Sequence, residues 1–323
     1  MSRKLTMKNK FAPIIVTAFN RPLHLSSMLG SLLSNIECNQ SDIYFFVDGP
    51  RNYDDIKKIH SVIFTAKRFS KEFKTFKIFT NKENLGVRRQ VLNAGNFIFK
   101  NYHSAIFIED DLILSSSFLN YMNRALNRFE NKSEIGCISG HSVFGNLKIR
   151  EPALCKLSNY GHNLGWATWQ REWNIDEFNP EKQLKILYAL GKQWNFDRKG
   201  FYPFTKKLMA EFNNPGRSWA ISWLAYCFIK EKITIFPSDN LVLHTGTDST
   251  ATNYRYQTHD PLLSHLHFIT SEQIDYMLNL NQLIDCEKEF QLFLKKSAEI
   301  NIFSRIKAFS SYFIQNLISI KIF

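Results

Sequence analysis

Between residues 14 and 129, short apolar runs rich in β-branched residues alternate with longer stretches of helical periodicity. The runs 14–19, 43–47, 76–80 and 104–108 read as buried strands, each closed by turn-forming or polar residues. Residues 54–69, 87–100 and 116–129 read as helices, and Pro22 suits the first turn of another, whose apolar stripe is Leu23, Leu25, Met28, Leu29, Leu32 and Leu33. Strands alternating with helices predict an α/β fold with a Rossmann-like, mainly parallel sheet flanked by helices. Such sheets bind ligands beyond the carboxyl ends of their strands, and three of those ends are polar here: Asn20-Arg21, Asp48-Gly49 and Glu109-Asp110-Asp111.

Three consecutive acids after Ala105-Ile106-Phe107-Ile108 place carboxylates at the end of a buried strand, where their repulsion calls for a cation or hydrogen-bond donors. Mg²⁺ takes one or two carboxylates together with substrate phosphates, and Mn²⁺ serves similarly. The same acids also suit a solvated turn or a cap for the helix near Ser116. Asp48-Gly49-Pro50 is a turn signal whose acid is placed to accept hydrogen bonds at the rim. Asn84-Leu85-Gly86-Val87-Arg88-Arg89 opens a helix, so its backbone N–H groups and guanidinium groups suit an anion, or else a glycine turn with surface arginines. No G-x-G-x-x-G follows a strand and no G-x-x-x-x-G-K-[ST] occurs, so ordinary dinucleotide binding and P-loop hydrolysis lose support.

The formal net charge of +12 is concentrated between residues 57 and 100, where eleven Lys and Arg face only Glu72 and Glu83, and such a field favours anionic partners. Nucleic acid ranks last among these, because no zinc-finger or RRM signature accompanies the charge. Cys38, Cys137, Cys155, Cys227 and Cys286 are scattered singly, without metal-site spacing, and imply reduced thiols in the cytoplasm. Residues 11–19 are too short for a signal peptide and run at once into Asn20-Arg21-Pro22. Nothing approaches the ~20 apolar residues of a membrane span. A soluble or peripheral protein is expected, at most bound to the inner face of a membrane.

After Ile138 the chain is loop-rich, with Gly161, Gly165, Trp166, Trp169 and Trp173, followed by helical segments near 181–190 and 219–230 and a strand at 233–236. From about Thr270 it is helical again, and residues 302–323 combine Phe, Ile and Leu with Arg305, Lys307 and Lys321, as an interfacial helix or one packed on the body would.

The order of Ile15-Val16-Thr17-Ala18-Phe19-Asn20-Arg21-Pro22, Asp48-Gly49, Asn84-Leu85-Gly86 and Glu109-Asp110-Asp111 resembles the nucleotide-binding half of GT-A glycosyltransferases. The chain looks most like the N-acetylglucosaminyltransferase I family within that group, and like bacterial surface-polysaccharide transferases similar to it, and this resemblance spans roughly residues 12–246. The resemblance implies a GT-A domain at 1–270, with a donor-binding half at 12–111 and an acceptor half at 112–270, then a helical extension at 271–323. It implies a nucleotide-sugar donor, a glycan or glycolipid acceptor, and Mn²⁺ or Mg²⁺ as cofactor.

By position, Thr17, Phe19 and Asn20 would line the nucleotide-sugar site, Arg21 would contact the diphosphate and Asp48 the nucleobase. Arg88 would lie near the phosphates or donor sugar, Glu109 and Asp110 would hold ribose or sugar, and Asp111 would bind the metal, with His244 beside it. Asn163-Leu164-Gly165-Trp166-Ala167-Thr168-Trp169 is similar to the family's glycine-tryptophan segment, so Gly165, Trp166 and Trp219 would face donor sugar and acceptor, although a Trp cluster also suits a core. Ser218-Trp219-Ala220-Ile221-Ser222-Trp223 lacks the aspartate that the family places between its tryptophans as general base. Glu211, Asp239 and Asp248 are the weaker alternatives for that role, which an inverting transfer needs. Two rival readings are a nucleotidyltransferase of similar fold and an inactive relative that binds sugar nucleotides without turnover.

Overall fold

The computed structural model describes residues 11–142, 152–216, 218–246, 269–280 and 282–297. Its first half follows the predicted alternation: β1 (Ile14–Ala18), α1 (Pro22–Leu32), β2 (Asp42–Val47), α2 (Tyr53–Arg68), β3 (Thr75–Thr80), α3 (Gly86–Ile98), β4 (Ser104–Glu109), β5 (Leu112–Leu114) and α4 (Phe118–Arg128). Then come β6 (Ile135–Ser139), β7 (Leu154–Ser158), β8 (Trp166–Trp169), α5 (Pro180–Ala189), α6 (Gln193–Phe196), α7 (Phe204–Asn213), α8 (Ala220–Ile229), β9 (Ile233–Pro237), β10 (Val242–His244), α9 (Ser271–Asn279), β11 (Ile284–Asp285) and α10 (Glu287–Ser297).

Local chemistry sets several of these boundaries. Asn52 caps α2 by accepting from Asp55 N, with Asp54 and Asp55 in its first turn and Lys67 and Arg68 in its last, each matched to the helix dipole. Asn179 and Pro180 open α5 in the same manner, and Thr270 with Gln273 forms a capping box on α9.

Nine strands form one mixed, mostly parallel sheet in the order β11-β7-β9-β6-β8-β4-β1-β2-β3. β1 is parallel to both β2 and β4, so strand order reverses between β1 and β4, where a crevice opens at the carboxyl ends of such sheets. β8 runs antiparallel between β4 and β6, pairing Phe107 with Trp166 and Ile138 with Ala167. The loop-rich stretch expected here therefore contains a central strand, too short to show a period of its own. β5 and β10 form a separate antiparallel pair, with Leu112 opposite His244.

One sheet face is covered by α1, α2, α4 and α9 through Leu25, Met28, Val62, Phe118, Met122 and Met277. The other carries α3 and α8 over a stack that includes Phe107, Trp166, Trp219 and Trp223. Towards the β11 edge, α5, α7 and α10 bury Leu187, Leu208, Phe290 and Leu294. The expected helical extension thus begins by packing on the body, and its stretch 302–323 lies outside the described residues. All five cysteines are buried free thiols. Among the described residues no helix is long and apolar enough to cross a membrane.

Candidate active site

The acids at the end of β4 stand beside the exit of β1, because the parallel register sets Thr17 opposite Glu109. Phe19 N donates to Asp110 Oδ2 at 3.3 Å. Arg21 donates from Nη1 to Asp111 Oδ2 at 2.9 Å, and His244 Nε2 lies 3.5 Å from the same oxygen. The β5–β10 pairing delivers His244, and both N and Oγ1 of Thr245 donate to the Asp111 carbonyl at 2.8 Å. A Cβ on Gly246 would collide with the Asp111 carboxylate and lie 2.9 Å from His244 Nε2, so this close approach requires glycine. Asn163, in the loop entering β8, hydrogen-bonds Glu109. Gly165 holds a left-handed φ of 52° there, and its carbonyl accepts from Gly140 N at 2.8 Å.

Burial pushes the Glu109 carboxyl up to about 8, and the Asp111 charge adds to the shift. Burial and Asp111 likewise push Asp110 up to about 7. Asp111 itself moves down, because its hydrogen bond to His244 and the charges of His244 and Arg21 together outweigh its burial. Burial alone would lower His244, but the Asp111 hydrogen bond and the charges of Asp111 and Glu109 reverse that and raise it. Asp111 is therefore the most acidic of the three, with the Arg21 guanidinium and the His244 imidazole against its Oδ2.

Asp111 Oδ1 is buried and has no hydrogen-bond partner. Among the described residues, no group of three or more His, Cys, Asp or Glu could hold a metal ion by itself. A hard divalent cation that takes one carboxylate from the protein and its other ligands from phosphate and water fits this donor set. A cation caged wholly by side chains does not.

At the end of β2, Asp48 is 5% exposed and accepts from Gly49 N, Asn81 Nδ2, Asn84 Nδ2, Leu85 N and Gly86 N, at 2.9 to 3.1 Å. It is the anion on the α3 N-terminus, so the backbone N–H groups expected to bind a ligand phosphate already have a partner. Nucleobase contact by Asp48 would require one of these bonds to be exchanged. Arg88 also turns inward, donating to Phe178 O at 2.6 Å and Ser222 Oγ at 2.8 Å, with Glu211 at 3.7 Å. Its burial lowers its pKa against the opposing pull of Glu211. Two of the five Arg88 N–H donors are thereby bonded to the protein.

The strand β8 places Trp166 in the core, 1% exposed and stacked at 4.4 Å on Phe107 and 5.1 Å from Trp219, itself 4% exposed. These rings pack on one another, as the core reading of the Trp cluster expects. Glu211 is 2% exposed, and its Oε1 accepts from Gly216 N at 2.7 Å and its Oε2 from Ser218 N at 2.8 Å, so it anchors a loop. Asp239 lies past the end of β9 and accepts from Ser238 Oγ at 3.3 Å. Asp248 lies outside the described residues.

No protein-family model matches the chain, and no curated protein matches it. Among solved structures it is similar to S. aureus TarS 1-349, with 10% identity over 72% of this chain and 60% of that one at a TM-score of 0.43. TarS 1-349 in complex with UDP-GlcNAc aligns with 10% identity over 88% and 71% at a TM-score of 0.37. The glycosyltransferase GlyE of Streptococcus pneumoniae TIGR4 aligns with 10% identity over 90% and 65% at a TM-score of 0.32. The chain spans about 60% of the first of these structures.

Two residues that sequence reasoning missed complete the rim. Asp55 takes two hydrogen bonds from the Arg51 guanidinium, at 2.9 and 3.2 Å, and one from Asn20 Nδ2 at 2.6 Å. Asn20, expected to line the donor site, is thereby tied to the start of α2. Arg51 also lies over the Phe19 ring at 4.7 Å, a cation–π contact at the mouth of the crevice. The available signal was an acid three residues after the Asn52 cap.

Proposed function

We propose that this chain is a GT-A type glycosyltransferase that moves a sugar from a nucleotide-diphosphate sugar to an acceptor hydroxyl on a glycan or glycolipid. The observation that carries the reading is Asp111, an ionised carboxylate at the strand-order reversal with one buried oxygen unpartnered and a guanidinium and an imidazole on the other. Mn²⁺ or Mg²⁺ would be held by Asp111 with His244 beside it, and would neutralise charge on the diphosphate leaving group. Arg21, already at that carboxylate, sets its guanidinium where the diphosphate charge grows. Glu109 and Asp110 hold their protons into the neutral range, so each can donate to as well as accept from ribose or sugar hydroxyls. Attack by the acceptor oxygen on the anomeric carbon, opposite the departing diphosphate, inverts that centre, and the acceptor proton passes to a general base.

The commitment of Glu211 favours one second reading, a protein that binds the donor without transferring its sugar. Release of nucleotide from uridine-, guanosine- and thymidine-diphosphate sugars with Mn²⁺, measured for the wild type and Asp111→Asn, tests both. A transferase releases nucleotide slowly from one donor, and Asp111→Asn abolishes the release. Donor binding with no release, even across a panel of acceptor glycans, selects the second reading. Neither binding nor release from any donor rejects both.

A further inference from the structure

Helix α2 buries Asp55, Ile59, Val62 and Ala66 against the sheet. At ~100° per residue, the outer side carries Tyr53, Asp54, Lys57, His60, Ser61, Phe64, Lys67 and Arg68, all of them exposed. Tyr53 is 86% exposed and Phe64 66%, with Ile56 at the margin. A helix packed on one side ordinarily keeps its outer side polar. Here two aromatic rings stand among cations instead. Lys57, Lys58, Lys67 and Arg68 have no carboxylate partner among the described residues. The basic surface continues past the helix through the exposed Lys71 and Lys74. Leu23 at the start of α1, which packs beside α2, and Ile36 in the turn that follows α1 are each 81% exposed.

We propose that the outer face of α2 docks this protein on an anionic membrane surface. Basic side chains that reach lipid headgroups, with aromatic and aliphatic groups entering the boundary between headgroup and acyl chain, make up an interfacial element. The rings of Tyr53 and Phe64 lie about 16 Å apart along the convex side of a straight helix. That shape meets a plane, whereas single-stranded nucleic acid is held in a groove lined by stacking platforms. Tyr53 begins α2 two residues before Asp55, which is bonded to Asn20 at the crevice rim, so docking sets the mouth of the candidate site beside the lipid surface. Docking requires no donor, and its test is independent of the transferase reading.

The test is co-sedimentation of the full chain with vesicles of phosphatidylcholine alone and of equal parts phosphatidylcholine and phosphatidylglycerol. The mixed vesicles bind the wild type and the neutral ones do not. The double variants Tyr53→Ser with Phe64→Ser, and Lys57→Gln with Lys67→Gln, each lower the partition about tenfold or more. Their thermal melts match the wild type, because the replaced side chains are exposed. The proposal is overturned if mixed vesicles fail to bind the wild type, or if both double variants bind as it does. It is overturned equally if Arg305→Gln with Lys307→Gln removes the binding while the α2 variants keep it. A wild type that retains single-stranded DNA or self-associates through α2 while ignoring vesicles also overturns it.

Discussion

Through one carboxylate Asp55 joins two residues of the rim, accepting from the guanidinium and backbone N of Arg51 and from the Asn20 amide. Its bonds to Arg51 bring its pKa from 3.8 down to about 2, so the stability it contributes is present above about pH 4 and is lost as pH falls through 2. Asp55→Asn should cost about 1–3 kcal/mol at neutral pH, and the difference from wild type should shrink towards pH 2 in urea titrations at stepped pH. A difference constant with pH would deny the ion pair its role. At Gly246 the constraint is space: Gly246→Ala forces its backbone away from Asp111 and His244, an overpacking cost of about 1–3 kcal/mol read from the melting temperature. Asp111 was legible in the sequence because three adjacent acids closing an apolar run carry their own signal. Asp55 was not, since its partner Asn20 lies 35 residues away and only folding brings them together.

The start of α3 is held by an acid from another element. Asp48 at the end of β2 neutralises the helix N-terminus and takes up Leu85 N and Gly86 N, which otherwise lose solvent without gaining a partner. Asp48→Ala should therefore lower stability by about 2–4 kcal/mol, seen as a lower urea midpoint with an unchanged slope, while Asp48→Asn, which keeps an acceptor, costs less. The strand-turn-helix order around Asp48 and Asn84 was readable from turn chemistry, but its occupant was not, because a turn signal does not say whether its anion is a ligand or the chain itself. β8 failed to register for a related reason. Its four residues pair with β4 and β6, each remote in sequence, while Trp166 joins a stack with residues of α3, α8 and both neighbouring strands and Trp169 packs in the core on the opposite side.

Across the whole molecule, the parallel order β4-β1-β2-β3 fixes one reversal point, and charge gathers on either side of it. Inside the crevice are the three acids with Arg21 and His244; outside, along α2, lies the basic and aromatic surface. The alternation of apolar runs made the parallel half of this sheet legible, whereas β5 and β10, which carry His244 back to Asp111, depend on a pairing between segments about 130 residues apart. Calorimetric titration of nucleotide-diphosphate sugars into the wild type and Asp111→Asn, with and without Mn²⁺, tests the central claim most directly. The account predicts that one donor binds, that Mn²⁺ tightens it about tenfold or more, and that Asp111→Asn removes the Mn²⁺ effect while the variant melts as a folded protein. Donor binding indifferent to both Mn²⁺ and Asp111→Asn, or no binding of any donor, would contradict it.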